Sequence, residues 1–310
     1  MPNPGLRTPN AGSSSFRSGF IAVVGRPNVG KSTLVNRLVG QKVAITAPVP
    51  QTTRTRLHGV VTLPQAQLIL VDTPGLHAPK HKLGERMVAI AEKALHDADA
   101  MLWLVDAAEG VTEEDEAVAE VLRNTARPIV VAVNKTDRTG GAQVAAVEAQ
   151  VGGLGRFRGI IPISATTGTN LDRLLDVLVE LLPEGPMYYP PEMITDQPEQ
   201  FLVRELIREQ AILLTRQEVP HGIAVEIDEF APREGKELVY IRATLHVERD
   251  PHKKMLVGRD GRMLKEIGRR ARREVEALLG NRVYLDLWVK TSEKWRQRED
   301  LIQTLYPEQL

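Results

Sequence analysis

The chain has 310 residues, 40 Lys/Arg against 40 Asp/Glu, 42% hydrophobic residues and no cysteine. No apolar run approaches the roughly 18 residues that a membrane-spanning helix needs, and the lack of cysteine excludes disulfides and thiolate metal sites. That balance suits a cytoplasmic chain of about two domains with an ordinary buried core.

Residues 1–18 are rich in Pro, Gly, Ser and Asn, have no apolar signal core, and read as a flexible tail. Strand-like and helix-like runs then alternate as far as residue 182. "FIAVV" (20–24), "QLILV" (67–71), "MLWLV" (101–105), "IVVAV" (129–133) and "IIPI" (160–163) are short continuous apolar runs. Such runs are expected of parallel strands buried on both faces. "KSTLVNRLV", "AVAEVLRN" and "NLDRLLDVLVELL" between them carry helical spacing. The alternation predicts a doubly wound α/β domain over 19–182 with a mostly parallel sheet.

Five prolines punctuate 183–200, and 183–197 reads as a semi-rigid linker. Residues 198–310 predict a smaller α+β unit. A helix (about 198–216) precedes the partly alternating strands "GIAVEIDEF" and "ELVYIRATLHVE". A short helix, the turn "GRDG", a long basic helix, the strand "RVYLDLWV" and a polar helix "SEKWRQRE" follow. From Lys253 to Arg273 there are nine Lys/Arg against Asp260 and Glu266, a candidate anion-binding surface.

Gly25-Arg-Pro-Asn-Val-Gly30-Lys31-Ser32 fits G-x-x-x-x-G-K-[ST] between a strand and a helix. Glycines let backbone N–H groups face phosphate oxygens, Lys31 reaches the β/γ-phosphates, and the Ser32 hydroxyl suits Mg²⁺. The helix that follows turns its positive end to the same anion. The expected phosphate cradle is Gly25, Asn28, Val29, Gly30, Lys31, Ser32 and Thr33. "DTPG" (72–75) adds Asp72 for the Mg²⁺ shell and the Gly75 N–H for a γ-phosphate. In "NKTD" (134–137), the Asp137 carboxylate can accept the paired N1–H and 2-amino donors of guanine, a pair that adenine lacks. Asn134 would lie near the N7/O6 edge and the Lys135 stem would pack on the ring. "SAT" (164–166) can offer backbone N–H to guanine O6, with Ser164 and Ala165 as the candidates.

These four stretches each follow a predicted strand, where open α/β sheets bind ligands. The set resembles the translation-factor-related P-loop GTPases and implies GTP and GDP as ligands. "PQTTRTR" (50–56) lies where a mobile switch belongs, and its Thr53, or else Thr52, would meet Mg²⁺ while the γ-phosphate is present. Leu76 stands after DTPG where Ras-like enzymes carry Gln. The resemblance therefore implies Asn28 as a ligand for K⁺, which would supply charge beside the phosphates. Equal GTPase rates in KCl and NaCl would exclude that role. Lys31, Asn28, Thr53 and Gly75 are the expected catalytic set. His77 and His81 read as solvated histidines.

Gly258-x-x-Gly261 opens a helix whose Leu264, Ile267, Ala271, Val275 and Leu278 form an apolar stripe. In its α-β-β-α-GxxG-α-β order this unit resembles a KH domain, which binds about four nucleotides of single-stranded nucleic acid. Lys253, Lys254, Gly258, Arg259, Gly261, Arg262, Lys265 and Arg269 are the expected RNA contacts, with Asp260 a candidate cap for the helix. One GTPase domain, a Pro-rich linker and one such KH domain is the layout of the bacterial Era GTPases, which this chain resembles over about 19–300. The resemblance implies 16S rRNA near its 3′ end as partner and maturation of the small ribosomal subunit as role. An alternative use of the basic helix is peripheral contact with the inner membrane.

Overall fold

The computed structural model describes residues 15–50, 52–75, 79, 81–215, 219–232 and 238–307. The first part is a six-stranded sheet built from β1 (Arg17–Val24), β2 (Leu57–Leu63), β3 (Ala66–Asp72), β4 (Ala100–Asp106), β5 (Ile129–Asn134) and β6 (Gly159–Pro162). The spatial order is β2-β3-β1-β4-β5-β6, parallel except for β2 against β3. Helices α1 (Lys31–Val39), α2 (Lys82–Asp97), α3 (Glu113–Arg123), α4 (Gly141–Leu154) and α5 (Leu171–Leu181) follow its strands.

Alternate residues of each central strand enter opposite cores. Leu102 and Leu104 join one cluster, while Met101, Trp103 and Val105 join the other. Both faces are dry, so the runs must be continuously apolar. β2 breaks that rule and was not among the expected strands. As an antiparallel edge strand it carries a mixed sequence, "LHGVVTL". β1 begins at Arg17, two residues inside the expected tail, and Ser18 is buried with its Oγ donating to Pro186 O at 2.6 Å.

The Pro-rich stretch is fastened along this sheet. Gln67 accepts from the N–H groups of Tyr188 and Tyr189 (2.8 and 2.9 Å) and donates to Tyr189 O (2.8 Å). The Val60 N–H of the β2 edge donates to Ile194 O at 2.8 Å, and Asp196 meets His58 at 2.5 Å. The edge donor is thereby satisfied rather than left to recruit another strand.

The second part holds α6 (Glu199–Leu214), β7 (Ala224–Pro232), β8 (Leu238–Val247), α7 (Asp250–Val257), α8 (Arg262–Leu279), β9 (Arg282–Thr291) and α9 (Glu299–Leu305). β8 runs antiparallel to β7 and parallel to β9. Ile267, Ala271 and Val275 of α8 are buried against α6 and the sheet. "SEKWRQRE" departs from expectation: only Trp295–Gln297 forms a single 3₁₀ turn, and α9 follows it. Trp295 is fully buried there, and that core position sets the local backbone.

Candidate nucleotide and nucleic-acid sites

β1 lies between β3 and β4; the chain leaves it toward β3 on one side and then crosses from β3 to β4 on the other, so the crevice at its C-terminal end is the topological switch point. Residues 25–30 turn there into α1. Gly25 (φ 144°) could not carry a side chain, because a Cβ would lie 2.6 Å from Leu104 O. Gly30 (φ 103°) would place its Cβ 2.4 Å from Asn134 Nδ2. A cavity of about 460 Å³ opens over this turn, lined by Asn28, Gly30, Lys31, Ser32, Thr33, Thr53, Gly75, Asn134, Lys135 and Ala165, among others. Val29 is buried beneath it, leaving its backbone for the cradle.

Lys31 Nζ donates to Gly25 O (2.8 Å) and Arg26 O (2.9 Å). Burial pushes this ammonium down to about 8, Asp72 opposing the shift and Arg26 adding to it. A bound phosphate favours the charged form. Below that pH the proton is already present; above it, nucleotide binding must take one up, so affinity falls as pH rises through about 8. GDP titrations at about pH 9 in two buffers of different ionisation enthalpy are expected to show proton uptake that Lys31→Arg removes. Binding without uptake would contradict this environment for Lys31.

Arg26 braces the same turn from behind: its Nε meets Asp115 at 3.0 Å and its Nη2 meets Glu109 at 2.5 Å. Asp115 is also the third residue of a capping box with Thr112 that starts α3. The brace joins residues 89 apart in the chain, and local sequence carries no sign of it.

Ser32 Oγ, Thr53 Oγ1 and Asp72 Oδ2 converge: Ser32 donates to Asp72 at 2.7 Å, and Thr53 lies 3.1 Å from Ser32 and 3.2 Å from Asp72. Thr52 instead lends its carbonyl to Arg208. Asp72 is wholly buried, its carboxyl is pushed up by burial, and Oδ1 has no hydrogen-bond partner among the described residues. Hard oxygen donors with one unsatisfied carboxylate oxygen fit Mg²⁺, which typically takes one or two carboxylates together with substrate phosphates. No cluster of three or more His, Cys, Asp or Glu residues able to hold a metal occurs among the described residues. Gly75 approaches the turn from the opposite side, where a Cβ would meet Pro27 N at 3.2 Å. Leu76 and His77 lie outside the described residues. His81 is no freely solvated side chain: its Nδ1 caps α2 by accepting from Gly84 N (2.9 Å), and its Nε2 faces Arg296 at 3.4 Å.

At the base-binding end, Asp137 is exposed and its Oδ1 accepts from Ser164 Oγ at 2.6 Å. Lys135 sits in the left-handed region (φ 67°) with Nζ tied to buried Asp106 at 2.5 Å, which stretches its apolar stem across the cavity. Asp106, at the end of β4, was not among the expected residues; its place at a strand end was the available signal. Asn134 donates Nδ2 to Val29 O (2.8 Å) and accepts the Ala165 N–H (3.0 Å). It therefore ties the phosphate turn to the 164–166 loop and keeps one amide proton for a base edge. The Ala165 N–H expected for guanine O6 is thus already engaged by Asn134 in this structure.

The second site lies at Gly258–Gly261. Gly258 (φ 70°) packs so tightly that a Cβ would meet Met263 Cβ at 2.6 Å, whereas a Cβ on Gly261 (φ 73°) would meet nothing within 4 Å. Gly261 itself occupies the α8 N-cap; Asp260 makes no cap and lies 4.0 Å from Arg262, correcting the expected cap. A groove of about 430 Å³ runs from Gly261 along Leu264, Lys265, Gly268 and Arg269 to Tyr284 and Leu287 of β9. The β9 wall and Gly268 had no motif to reveal them. Of the expected basic contacts, Lys265 and Arg269 line the groove, while Lys253, Lys254, Arg259 and Arg262 stand exposed outside its lining. Glu266 takes hydrogen bonds from Arg269 (2.6 and 2.8 Å) and Arg270 (2.7 Å), which hold its carboxyl down to about 2. That carboxylate offsets part of the positive charge counted along α8.

Residues 20–135 match the family of 50S ribosome-binding GTPases, and residues 218–296 match the KH domain. The GTPase Era of Alkaliphilus oremlandii is 45% identical over 291 residues, 94% of this chain and 99% of that protein. The GTPase Era of Halothermothrix orenii is 47% identical over 94% of this chain and 98% of its own length. The chain belongs to the Era family of GTPases. Crystal structures agree: Aquifex aeolicus Era bound to GDP·AlF4⁻ superposes with a TM-score of 0.91 at 41% identity, covering 94% of this chain and 99% of that one. An Era structure in complex with MgGDPNP and nucleotides 1506–1542 of 16S ribosomal RNA superposes equally well, at 42% identity over the same shares. GTP hydrolysis to GDP and phosphate is the activity of this family.

Proposed function

We propose that this chain is a GTP-driven switch that binds 16S rRNA near its 3′ end and acts in maturation of the small ribosomal subunit. The observation that carries this reading is the pairing of the two sites on one chain. The loops after β1, β3, β5 and β6 meet at one cavity, and a groove lined by Gly261, Lys265 and Arg269 lies at the Gly-x-x-Gly helix. The Era complex with MgGDPNP and 16S rRNA supports it further.

In this reading Asp137 accepts the paired donors of guanine, with Ser164 fixing its carboxylate. Lys31 and the backbone of 25–33 hold the phosphates. Ser32, Thr53 and Asp72 would hold Mg²⁺, which neutralises charge on the β- and γ-phosphates. Gly75 offers its N–H to the γ-phosphate, and Asn28 (φ 64°) is the K⁺ ligand at the cavity rim. Gly261, Lys265 and Arg269 meet the RNA in the groove, and the outer Lys253, Lys254, Arg259 and Arg262 steer it. No helix among the described residues is long and apolar enough to cross a membrane. Ile267, Ala271 and Val275 of α8 face the core, so this helix offers lipid no apolar stripe.

The test is the affinity for a single-stranded segment from the 3′ end of 16S rRNA, with a non-hydrolysable GTP analogue and with GDP at fixed salt. Tighter binding with the analogue is expected. Equal binding would remove the switch, and no binding in either state would remove the rRNA assignment.

A further inference from the structure

The segment after α1 passes from one core to the other: Val43 and Ala44 are buried in the first domain, and from Ile45 on the apolar residues pack on the second. Ile45 is buried in that domain's core, with Ala47 and Val49 packed against it. At its start, Lys42 meets Glu209 of α6 and, at 2.6 Å, Glu274 of α8. Thr46 N–H donates to Glu209 at 2.8 Å.

Its other end is held by two arginines. Arg54 is 5% exposed although it sits in a polar stretch. Its Nη1 donates to Ile223 O (2.6 Å) and Tyr306 Oη (2.8 Å), and its Nη2 to His221 O (2.9 Å). The guanidinium carbon lies 5.6 Å from the Trp295 ring and 5.7 Å from the Tyr306 ring. Arg208 of α6, buried and paired with Glu205, donates to Thr52 O. Thr53 stands between these two clamps, with its hydroxyl beside Ser32 and Asp72. Neighbouring Cα atoms are fixed about 3.8 Å apart. A backbone shift that carries Thr53 away from those oxygens therefore disturbs Arg54 or the Thr52 carbonyl.

We propose that Arg54 is the positioning residue that couples Thr53 at the Mg²⁺ site to the second domain, through the slot between Trp295 and Tyr306. This rests on the nucleotide-switch reading above. While the γ-phosphate is held, Thr53 and Arg54 both keep their places and the second domain is fastened. When Thr53 withdraws, Arg54 is drawn from the slot, and two carbonyls and a phenol lose their donor. A planar guanidinium makes these three directed bonds and lies over both rings; an ammonium does not reproduce that geometry. By linkage, a second domain that grips Arg54 favours the nucleotide state that seats Thr53.

The experiment uses the full chain as wild type, Arg54→Ala, Arg54→Lys and Trp295→Phe, each saturated with nucleotide. One readout is the change in tryptophan emission between GDP and the GTP analogue, taken as the part that Trp295→Phe abolishes. The other is the affinity for the 3′ 16S rRNA segment in each nucleotide state. Wild type is expected to show both an emission change and tighter RNA binding with the analogue. Both Arg54 variants are expected to lose the emission change and to bring the affinity ratio to about one, with RNA affinity in GDP within about two-fold of wild type. That unchanged GDP-state affinity marks an intact second domain, and Arg54→Lys serves if Arg54→Ala does not fold. A full emission change in either variant would overturn the proposal. A wild-type emission change with equal RNA affinities would sink the RNA switch and leave Arg54 as the link between domains. Nucleotide-dependent RNA binding with no Trp295 response would do the reverse.

Discussion

Asp137→Asn is expected to weaken guanine nucleotides by about 10²- to 10⁴-fold and to create binding of xanthine nucleotides. Two hydrogen bonds from guanine to a carboxylate are worth about 1.5–3 kcal/mol each, and the asparagine amide presents an N–H₂ where the base also has a donor. Xanthine carries a carbonyl in place of the 2-amino group, so the same amide can donate to it. Asp137 is exposed, and its carboxylate is held by Ser164 Oγ rather than by the fold's core. The substitution should therefore leave stability within about 0.5 kcal/mol, as surface changes usually do. Competition of labelled GDP with unlabelled GDP and XDP measures the exchange. Unchanged guanine preference would place the base elsewhere.

Gly261→Asp is expected to lower affinity for the 3′ 16S rRNA segment by about 10- to 150-fold, the loss of one charge-assisted backbone contact at about 1.5–3 kcal/mol, with added repulsion on top. GTP hydrolysis should stay within about two-fold, since the change lies outside the nucleotide cavity. The choice of glycine matters. A Cβ at Gly261 meets nothing within 4 Å, and its φ of 73° is a region aspartate tolerates better than most residues. The same substitution at Gly258 would drive a Cβ to 2.6 Å from Met263 Cβ and 2.9 Å from its backbone nitrogen, disturbing the start of α8. Gly258→Asp thus confounds folding with binding, and Gly261→Asp separates them. Filter binding and phosphate release on the same preparation give both numbers; RNA affinity that does not fall would remove the groove from RNA recognition.

Much of the nucleotide site was legible because its chemistry is local. A phosphate turn needs glycines, a lysine and a hydroxyl at fixed spacing, and the buried strands that carry such turns must be continuously apolar. Lys31, Ser32, Asp72, Asn134 and Asp137 are the candidates that such spacing picks out, and the structure sets all five at the ends of β1, β3 and β5 or in the segments that follow them. The residues that escaped are those whose meaning is a distant partner. Asp106 matters because Lys135 reaches it, and Asp115 because Arg26 does. β2 escapes a search for apolar runs because an edge strand need not be apolar throughout, and "SEKWRQRE" reads as a helix because its tryptophan's burial against Tyr306 is a tertiary fact.

The class of sheet, the order of the loops around its switch point and the presence of a Gly-x-x-Gly helix could be read from sequence alone. Each of these is a property of a few consecutive residues and of the period at which apolar ones recur. Folding alone brings Asn134's carbonyl to the Ala165 N–H, sets Glu266 against two arginines of the basic helix, and leaves Gly261 rather than Gly258 open. Only it placed Arg54, an arginine in a polar run, in a dry slot formed by residues 167 to 252 positions away. A guanidinium can be buried only where acceptors and rings already wait for it, and those are supplied by chain folding rather than by neighbours in sequence.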